Sequence, residues 1–209
     1  MSAIKLNSSG GGSITISPAS TASTLTLTAP ANTGTIVSTG SSAAVTPTML
    51  SQPLTLMTAQ NSTSGTSIDF TGIPSWVKRI TVMFNGVSTN GTSNLQIQLG
   101  SSGGFETTGY GSSMTYIVNA TVATANISTG LLVGTYGSAG AGYNGLTIIS
   151  TLGSNIWASS CNLCDGPSTR TFFGAGAKTL SGTLDRIRIT TVNGTDAFDA
   201  GSINIMYEG

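Results

Sequence analysis

The composition changes along this chain: the first third has almost no charged or aromatic side chains, and the remainder has nearly all of them. This change constrains the fold more than any motif does. Residues 6–68 carry no charge, and all thirteen Phe, Trp and Tyr residues lie between positions 70 and 209. The first 60 residues include only fifteen large apolar side chains, too few to offset the ~1–2 kcal/mol that ordering each backbone residue costs. We therefore predict an N-terminal arm over residues 1–60, a linker over 61–66 and a folded domain over 67–209.

The low charge of the whole chain narrows the choice of partners. Charged residues make up 7% of the sequence and the formal net charge is zero, whereas an average soluble protein has about 25% charged residues. Nucleic acid requires clustered Lys and Arg, so we expect no nucleic-acid partner. Copies without net charge do not repel one another. The composition therefore predicts a component of an assembly, in which sibling chains cover the arm.

Neither a membrane span nor a secretory leader is expected from the sequence. No run of 18 apolar residues occurs, and a transmembrane helix needs about that many. The first residues, MSAIKLNSS, lack the apolar core of a signal peptide. We expect a protein that is made in a cytoplasm and does not insert into membranes.

The predicted arm contains a short repeat. Ile14 and Ile16 flank a Thr, Leu25 and Leu27 flank another eleven residues later, and Ile36 follows after eleven more. Apolar residues alternating with Thr, with Pro, Gly and Asn between the units, are typical of short strands. These five residues are the predicted packing positions of the arm. Simple Thr-rich low complexity is an alternative that the sequence leaves open.

Apolar residues in the predicted domain alternate with a period of two, which is typical of half-buried strands. The alternating sets are Ile80, Val82 and Phe84; Leu95, Ile97 and Leu99; Leu146 and Ile148; Ile187 and Ile189; and Ile203, Ile205 and Tyr207. Gln96 and Gln98 are predicted to lie on a solvated face. Asn-Gly pairs at 85–86, 90–91, 144–145 and 193–194 predict turns.

No segment carries a sustained helical period, so the predicted fold class is all-β. The sequence predicts an extended N-terminal β arm with short repeats, followed by an antiparallel, jelly-roll-like β-sandwich of about eight strands. The last two strands, around Ile187 and Ile205, are expected to form a hairpin with a long loop.

Few of the residue types that enzymes commonly use for catalysis occur in a suitable pattern in this chain. There is no histidine, which removes Ser-His-Asp catalysis and His-metal sites. Gly100, Ser102 and Gly104 match the G-x-S-x-G pattern of hydrolases, but such a match is expected by chance in a sequence with 28 glycines. We predict that the protein is not an enzyme and holds no cofactor.

Two carboxylates lie close together in sequence, Asp196 and Asp199. They could bind a cation, pair with Arg186 or Arg188 across a sheet, or cap turns. The ion-pair and turn interpretations are favoured, because a glycosidase needs two carboxylates held roughly 5–9 Å apart in a cleft.

The two cysteines, Cys161 and Cys164, form a C-x-x-C pair. A structural zinc needs two more Cys or His ligands, which the chain does not contain. Two partly buried thiols and one local disulfide are the interpretations that stay open.

Three aromatic residues lie in Gly-rich stretches and are candidate surface contacts: Phe105, Tyr110 and Tyr143. Aromatic rings on loops with Asn and Ser neighbours suit contacts with sugars or proteins. The alternative is that each ring closes one end of the sandwich. Trp76, after Pro74, is interpreted as a packing anchor.

Three stretches of the chain resemble segments of virion structural proteins of tailed bacteriophages. Residues 11–35 (GGSITISPASTASTLTLTAPANTGT) are similar to an arm common in these proteins. Residues 70–88 (FTGIPSWVKRITVMFNGVS) and 184–208 (LDRIRITTVNGTDAFDAGSINIMYE) are similar to the opening and the closing hairpin of a β-sandwich found in them. Similar modules occur on tail fibres, head fibres and adaptor-attached appendages, and the family has no motif residue with assigned chemistry.

The resemblance implies a homotrimeric fibre or appendage of a virion, assembled in the host cytoplasm. Its arm would attach to other virion proteins (a tail adaptor, the tail or the capsid), and its sandwich would contact a glycan or protein of the host surface. A capsid decoration or cement protein is the first alternative. A short polysaccharide depolymerase is a second, which no sequence feature supports.

Overall fold

A computed structural model describes residues 4–7, 10, 13–16, 51–118, 120–135, 139–166 and 170–209 of this chain. The chain divides into two compact units, Met1–Val45 and Thr46–Gly209. Every regular element in the described ranges is a β-strand or a turn, which confirms the predicted all-β class. Among these residues no helix is long and apolar enough to span a membrane.

The described part of the first unit is one antiparallel pair of strands, β1 (Ile4–Asn7) and β2 (Ser13–Ile16). Its register pairs Ile4 with Ile16 and Leu6 with Ile14. Ile14 and Ile16 therefore lie on a strand, as the repeat predicts for its first segment. Leu25, Leu27 and Ile36 lie outside the described residues, so the later units of the repeat stay a prediction.

The described part of the second unit contains fourteen strands, against the eight or so that were predicted. They are β3 (Thr55–Leu56), β4 (Gln60–Asn61), β5 (Ser67–Thr71), β6 (Arg79–Thr89), β7 (Leu95–Ser101), β8 (Gly104–Phe105), β9 (Tyr110–Val118), β10 (Thr121–Ile127), β11 (Leu131–Gly134), β12 (Tyr143–Gly153), β13 (Ile156–Asp165), β14 (Arg170–Thr179), β15 (Arg186–Thr191) and β16 (Phe198–Glu208).

These strands form two antiparallel sheets packed face to face, which confirms the predicted β-sandwich. The large sheet has the order β10-β9-β14-β13-β12-β6-β16-β3, with β4 also paired to β16. The small sheet has the order β11-β7-β15-β5, with β8 paired to β7. Alternate residues of both sheets point inward and bury one apolar core, which includes Phe70, Ile80, Leu99, Phe172 and Ile205.

The two sheets approach each other closely where β11 packs over β14. Gly176 has no side chain there, and a Cβ atom at that position would lie 2.9 Å from Cδ2 of Leu131. Hydrogen bonds also join the sheets at this place: the Leu132 N–H donates to Ser112 Oγ (2.8 Å), and Cys161 Sγ donates to the Val133 carbonyl oxygen (3.5 Å). The small residues of β14 therefore set the spacing of the layers.

The predicted hairpin of the last two strands is wrong. β15 belongs to the small sheet, where it pairs with β5 and β7, and β16 belongs to the large sheet, where it pairs with β6. The connection between them crosses from one layer to the other. Both strands carry the same inward apolar alternation, so the pattern does not reveal which sheet each strand joins.

Two predicted strand faces are also wrong. Leu146 and Ile148 are 41% and 36% exposed, while Thr147 and Ile149 between and after them are buried. Conversely, the Gln96 and Gln98 side chains are buried instead of solvated, because neighbouring loops cover the outer face of β7.

Two of the predicted Asn-Gly turns lie inside strands. Gly86 (φ 61°) and Gly145 (φ 133°) take backbone conformations that favour glycine, but they do so at irregularities within β6 and β12. The Gly86 N–H donates to Asn144 Oδ1 (2.8 Å), which joins the two strands at this irregularity. The hairpin between β12 and β13 turns instead at Ser154 and Asn155, both with positive φ.

The predicted linker over residues 61–66 is wrong at its start. β3 and β4 add to the large sheet beside β16. Ser62 is fully buried, and its hydroxyl donates to the Ala200 carbonyl oxygen (2.8 Å). These segments lack charge and aromatic rings, yet backbone pairing with β16 orders them.

Candidate binding surface on the small sheet

The outer face of the small sheet is polar because of the register of its three long strands. Gln98 on β7 lies opposite Arg188 on β15, which lies opposite Asp69 on β5. In the neighbouring row, Gln96 lies opposite Thr190, which lies opposite Ser67. Since alternate residues share a face of a strand, the inward positions between these residues are free to carry the apolar core.

This face contains a depression of about 350 Å³. Hydroxyl and amide side chains line most of it, and Arg188 is the one charged side chain in its lining. The lining includes Thr66, Gln96, Gln98, Thr129, Arg188 and Thr190. Neutral donors and acceptors arranged around a concave site are suited to a ligand that is itself neutral and rich in hydroxyl groups.

The amides of Gln96 and Gln98 are held in place by hydrogen bonds. Gln96 Nε2 donates to the Thr191 carbonyl oxygen (3.2 Å), and Thr129 Oγ1 donates to Gln96 Oε1 (2.8 Å). Gln98 Nε2 donates to the Thr129 carbonyl oxygen (3.1 Å). The side of the depression near Thr129 is therefore ordered by the same loop that covers β7.

The charge of Arg188 is balanced within the surface. Its guanidinium forms two hydrogen bonds with the Asp69 carboxylate, at 2.8 and 2.7 Å. These hydrogen bonds raise the pKa of Arg188 above its usual value, so it stays protonated. The guanidinium also lies 4.2 Å from the ring centroid of Phe105, within the range of a cation–π interaction.

Phe105 is the predicted contact residue that belongs to this surface. β8 pairs with the end of β7, where Phe105 lies opposite Gly100. A Cβ atom on Gly100 would lie 2.8 Å from Cγ of Arg186 and 3.0 Å from Cα of Phe105. Glycine at this position therefore lets the ring and the arginine side chains pack together. The ring is partly buried.

Tyr110 is not an exposed contact residue, because it is buried. Its hydroxyl accepts a hydrogen bond from the Leu99 N–H (2.7 Å) and donates to the Glu106 carbonyl oxygen (2.9 Å). Burial raises the pKa of Tyr110 to about 12. The ring therefore closes one end of the sandwich, which is the alternative that the sequence left open.

Tyr143 is also buried, and the prediction of an exposed ring is wrong here too. Its ring packs 5.7 Å from Phe172 and beside Gly134, where a Cβ atom would lie 2.6 Å from Cε1 of the tyrosine. Burial is the main cause of a raised Tyr143 pKa. The Gly-rich flanks of both tyrosines suggested loops, but each residue begins a strand.

Sequence reasoning missed a cluster around Glu106. The buried Lys178 ammonium lies 2.6 Å from Glu106 Oε2 and 5.3 Å from the Tyr110 ring centroid. The N–H and hydroxyl of Ser181 both donate to Glu106 Oε1, at 2.7 and 2.8 Å. Burial alone would raise the pKa of Glu106, but the hydrogen bonds from Lys178 and Ser181 outweigh it and hold that pKa below its usual value.

The two neighbouring carboxylates satisfy turns and strands instead of the predicted arginines. Asp196 accepts hydrogen bonds from the Ser93 N–H (2.9 Å) and Asn193 Nδ2 (2.6 Å), and the bond from Asn193 is the main cause of its lowered pKa. Asp199 lies on β16 and accepts a hydrogen bond from the Ser88 hydroxyl. The turn interpretation is confirmed for Asp196, and the ion-pair interpretation is wrong, because Arg186 pairs with Asp185 and Arg188 with Asp69.

Cys161 and Cys164 point to opposite faces of β13, because they are three residues apart on one strand. Cys161 is buried and Cys164 is exposed, and both are free thiols. This arrangement rules out the local disulfide. Burial raises the pKa of the Cys161 thiol to about 11. Within the described ranges, no three potential metal ligands lie together.

Fold and surface together define an antiparallel β-sandwich with a neutral polar depression on its small sheet. In comparisons with protein-family models, curated proteins and solved structures, the chain matches none of them. A function is therefore inferred from the residues of this surface and from the composition of the chain.

Proposed function

We propose that this protein is a structural protein of a bacteriophage virion: a homotrimeric fibre or appendage that is anchored by its N-terminal arm. The observation that carries the proposal is the absence of charge over residues 6–45, which lie outside the second unit, since such a segment would gain order by packing against other neutral chains. The resemblance of residues 11–35, 70–88 and 184–208 to segments of phage virion proteins supports the same function.

In this proposal the sandwich faces outward and contacts the host surface. The depression on the small sheet is lined by neutral hydroxyls and by amides that are already held by hydrogen bonds, and such a neutral polar lining suits the hydroxyl groups of a surface glycan. Arg188, held by Asp69 at 2.7 Å, supplies a fixed donor at its edge. Phe105 orients that guanidinium and takes no part as a stacking platform.

Deleting residues 1–45 tests the role of the arm, because the second compact unit begins at Thr46. The full-length and truncated proteins are produced in cells infected by a phage that lacks its own copy of the gene, and purified particles are probed for each protein. We expect the full-length protein in particles and the truncated protein in the soluble fraction only. Normal incorporation of the truncated protein would contradict the proposed anchor.

Copy number separates the fibre from its alternative, a capsid decoration protein. A fibre occurs in a few copies per particle, whereas a decoration protein occurs in numbers comparable to the coat protein. Quantitative mass spectrometry of purified particles measures this ratio against the coat protein. A ratio near one would favour decoration and would contradict a tail or head fibre.

A further inference from the structure

The outer face of the large sheet is unusual in carrying almost no charge. Two adjacent rows of outward side chains cross it from strand to strand. From β10 to β16, the first row consists of Thr124, Thr115, Phe173, Asn162, Leu146, Met83 and Asn204. From β10 to β3, the second row consists of Asn126, Ser113, Ala175, Ser160, Ile148, Thr81, Met206 and Leu56. We call this surface the neutral face. The nearest charges in register with it, Arg79 and Glu208, are paired with each other at one end.

Large apolar side chains are exposed on this face. Leu146, Ile148, Phe173 and Leu56 are between 36% and 62% exposed, and Met83 and Met206 lie between them in the register. Single exposed apolar residues are ordinary, but a contiguous set on one sheet face marks an interaction surface. A partner for this face needs to be apolar and uncharged, because no described side chain in the two rows can balance a charge.

The face has both a projection and a recess. Phe173 is 48% exposed and stands beside a shallow depression of about 390 Å³, which Ser113, Ser160 and Ala175 help to line. Small side chains around a large ring allow the ring of one molecule to enter the recess of another. A surface that carries both shapes is suited to contacts with copies of itself. Around a three-fold axis such contacts are heterologous, so the Phe173 side chain of each copy would meet the recess of the next.

The neutral face is large enough to form a substantial part of an interface. The eight strands from β10 to β3, at a spacing of about 4.8 Å, are about 34 Å wide, and the two rows take up about four residues along a strand, a length of about 14 Å. The product is about 480 Å², more than half of the ~800 Å² that each partner contributes to a standard protein–protein interface.

We propose that the neutral face is the contact between copies of this chain in the assembled protein, an inference that rests on the homotrimer of the proposed function. The occupant is a second copy. A charged host surface or a phosphate-rich partner would leave its charges unbalanced against this face.

The test compares substitutions on the face with a matched control. Leu146→Lys and Phe173→Lys place a charge in the proposed contact at side chains that the isolated chain leaves exposed. Leu152→Lys is the control, because Leu152 is 70% exposed and lies at the far end of β12, beside Ser154 and Thr183. Sedimentation equilibrium of the full chain measures association, and circular dichroism shows that each variant is folded.

We expect a trimer for the wild-type chain and for Leu152→Lys, and at least a tenfold weaker association for Leu146→Lys and Phe173→Lys. If both face variants remain trimers with unchanged affinity, the face is not the contact, although the proposed function still stands. If the wild-type chain is monomeric at every concentration, the trimer of the proposed function fails, and this inference fails with it.

Cys164 allows an independent measurement, because its exposed thiol lies at the border of the neutral face, two residues from Asn162 on the same side of β13. Its rate of alkylation by a maleimide is expected to be at least tenfold slower in the wild-type trimer than in Leu146→Lys; equal rates would overturn the inference.

A third outcome would also contradict the inference. If deleting residues 1–45 exposes Cys164 in a chain that is still a trimer, the arm, and not a second copy, covers the face.

Discussion

Buried polar side chains fix the end of the sandwich near Tyr110. The Tyr110 hydroxyl of β9 accepts a hydrogen bond from the Leu99 N–H of β7 (2.7 Å) and donates to the Glu106 carbonyl oxygen (2.9 Å), and the Glu106 carboxylate pairs with the Lys178 ammonium of β14 (2.6 Å). A buried polar group without a partner is costly, so each member of this cluster depends on the others. The cluster also explains why Lys178 can be buried, because lysine is seldom buried unless it is paired.

Replacing Tyr110 by Phe removes the hydroxyl and leaves the Leu99 N–H without its partner at 2.7 Å. We expect the free energy of unfolding to fall by about 1–3 kcal/mol. Urea denaturation measures the change. Tyr116→Phe, at a half-buried ring, is the control and is expected to change stability by less than about 0.5 kcal/mol; equal effects of the two substitutions would contradict the role of the Tyr110 hydroxyl.

Replacing Glu106 by Gln removes the partner of the buried Lys178. At neutral pH we expect a loss of about 2 kcal/mol. The folded-state pKa of Glu106 is lowered from its usual 4.5, so its stabilising effect is complete above that value and is lost as the pH falls through the folded-state pKa.

Stability measured from pH 7 to pH 3 checks this expectation. The difference between the wild-type chain and Glu106→Gln shrinks as the pH falls if the carboxylate is responsible. A difference that stays constant over this range would show that the effect of the substitution is steric. Glu208→Gln is the control, since its partner Arg79 is more than half exposed, and such surface pairs contribute at most about 1 kcal/mol.

Residue type predicted the core better than the surface. Phe84 and Tyr207 were expected to point inward, and both are buried. Tyr110 and Tyr143 were expected on loops because glycines flank them, but each residue begins a strand and its ring is buried. A sequence shows that a tyrosine needs a hydrogen-bond partner or solvent, and it does not show which of the two it has.

At the scale of elements, irregularities in β6, β12 and β16 shape the large sheet. The register between β6 and β16 shifts at Ala200, next to Gly201, which has a φ of 91°. Strands that bend at such points twist more strongly and re-aim their side chains. This is why Asn-Gly pairs, which are strong turn signals in other contexts, occur here within continuous strands.

Gly201→Ala tests the need for glycine at the β16 irregularity. A methyl group there would collide with the Gly86 carbonyl oxygen in addition to straining the backbone. We expect a loss of about 3 kcal/mol or more in the free energy of unfolding. Gly194→Ala is the control: its φ is 70°, but nothing lies within 4 Å, so only the backbone cost of about 1–2 kcal/mol applies. Thermal or urea unfolding that ranks the two variants equally would contradict the collision.

The period-two pattern located β6, β7, β15 and β16 but could not assign their partners. β12 shows why, because it has apolar residues on both faces, with Leu146 and Ile148 outward and Ile149 inward. An element that is apolar on both faces gives no alternation from which a register can be read. The same two-sided character gives the outer face of the large sheet the exposed apolar side chains on which the proposed contact rests.

At the scale of the whole molecule, the boundary between units lies earlier than composition alone predicts. The second unit extends from Thr46 to Gly209 and contains both sheets and the core. We expect a chain that lacks residues 1–45 to unfold cooperatively. Differential scanning calorimetry checks this, and a melting temperature more than about 8 °C below that of the full chain, about 2 kcal/mol for a domain of this size, would show that the first unit contributes to the core.

Fold class followed from composition and periodicity, whereas the candidate binding surface did not. Gln96, Gln98 and Arg188 come together only because β7 and β15 pair in one particular register, and register depends on contacts far apart in sequence. The loop near Thr129 that covers β7 is likewise fixed by tertiary hydrogen bonds. Such a site can be identified only when the strand pairing is known.

The pairing of Arg188 with Asp69 and of Arg186 with Asp185 has a consequence for the medium in which the molecule works. Dissolved ions weaken attraction between separated charges beyond about 10 Å at 0.1 M, but these guanidinium groups are already neutralised at bonding distance. A change in ionic strength is therefore expected to have little effect on this surface or on the uncharged face of the large sheet. Association through the proposed neutral face is therefore expected to be equally strong in dilute and in concentrated salt.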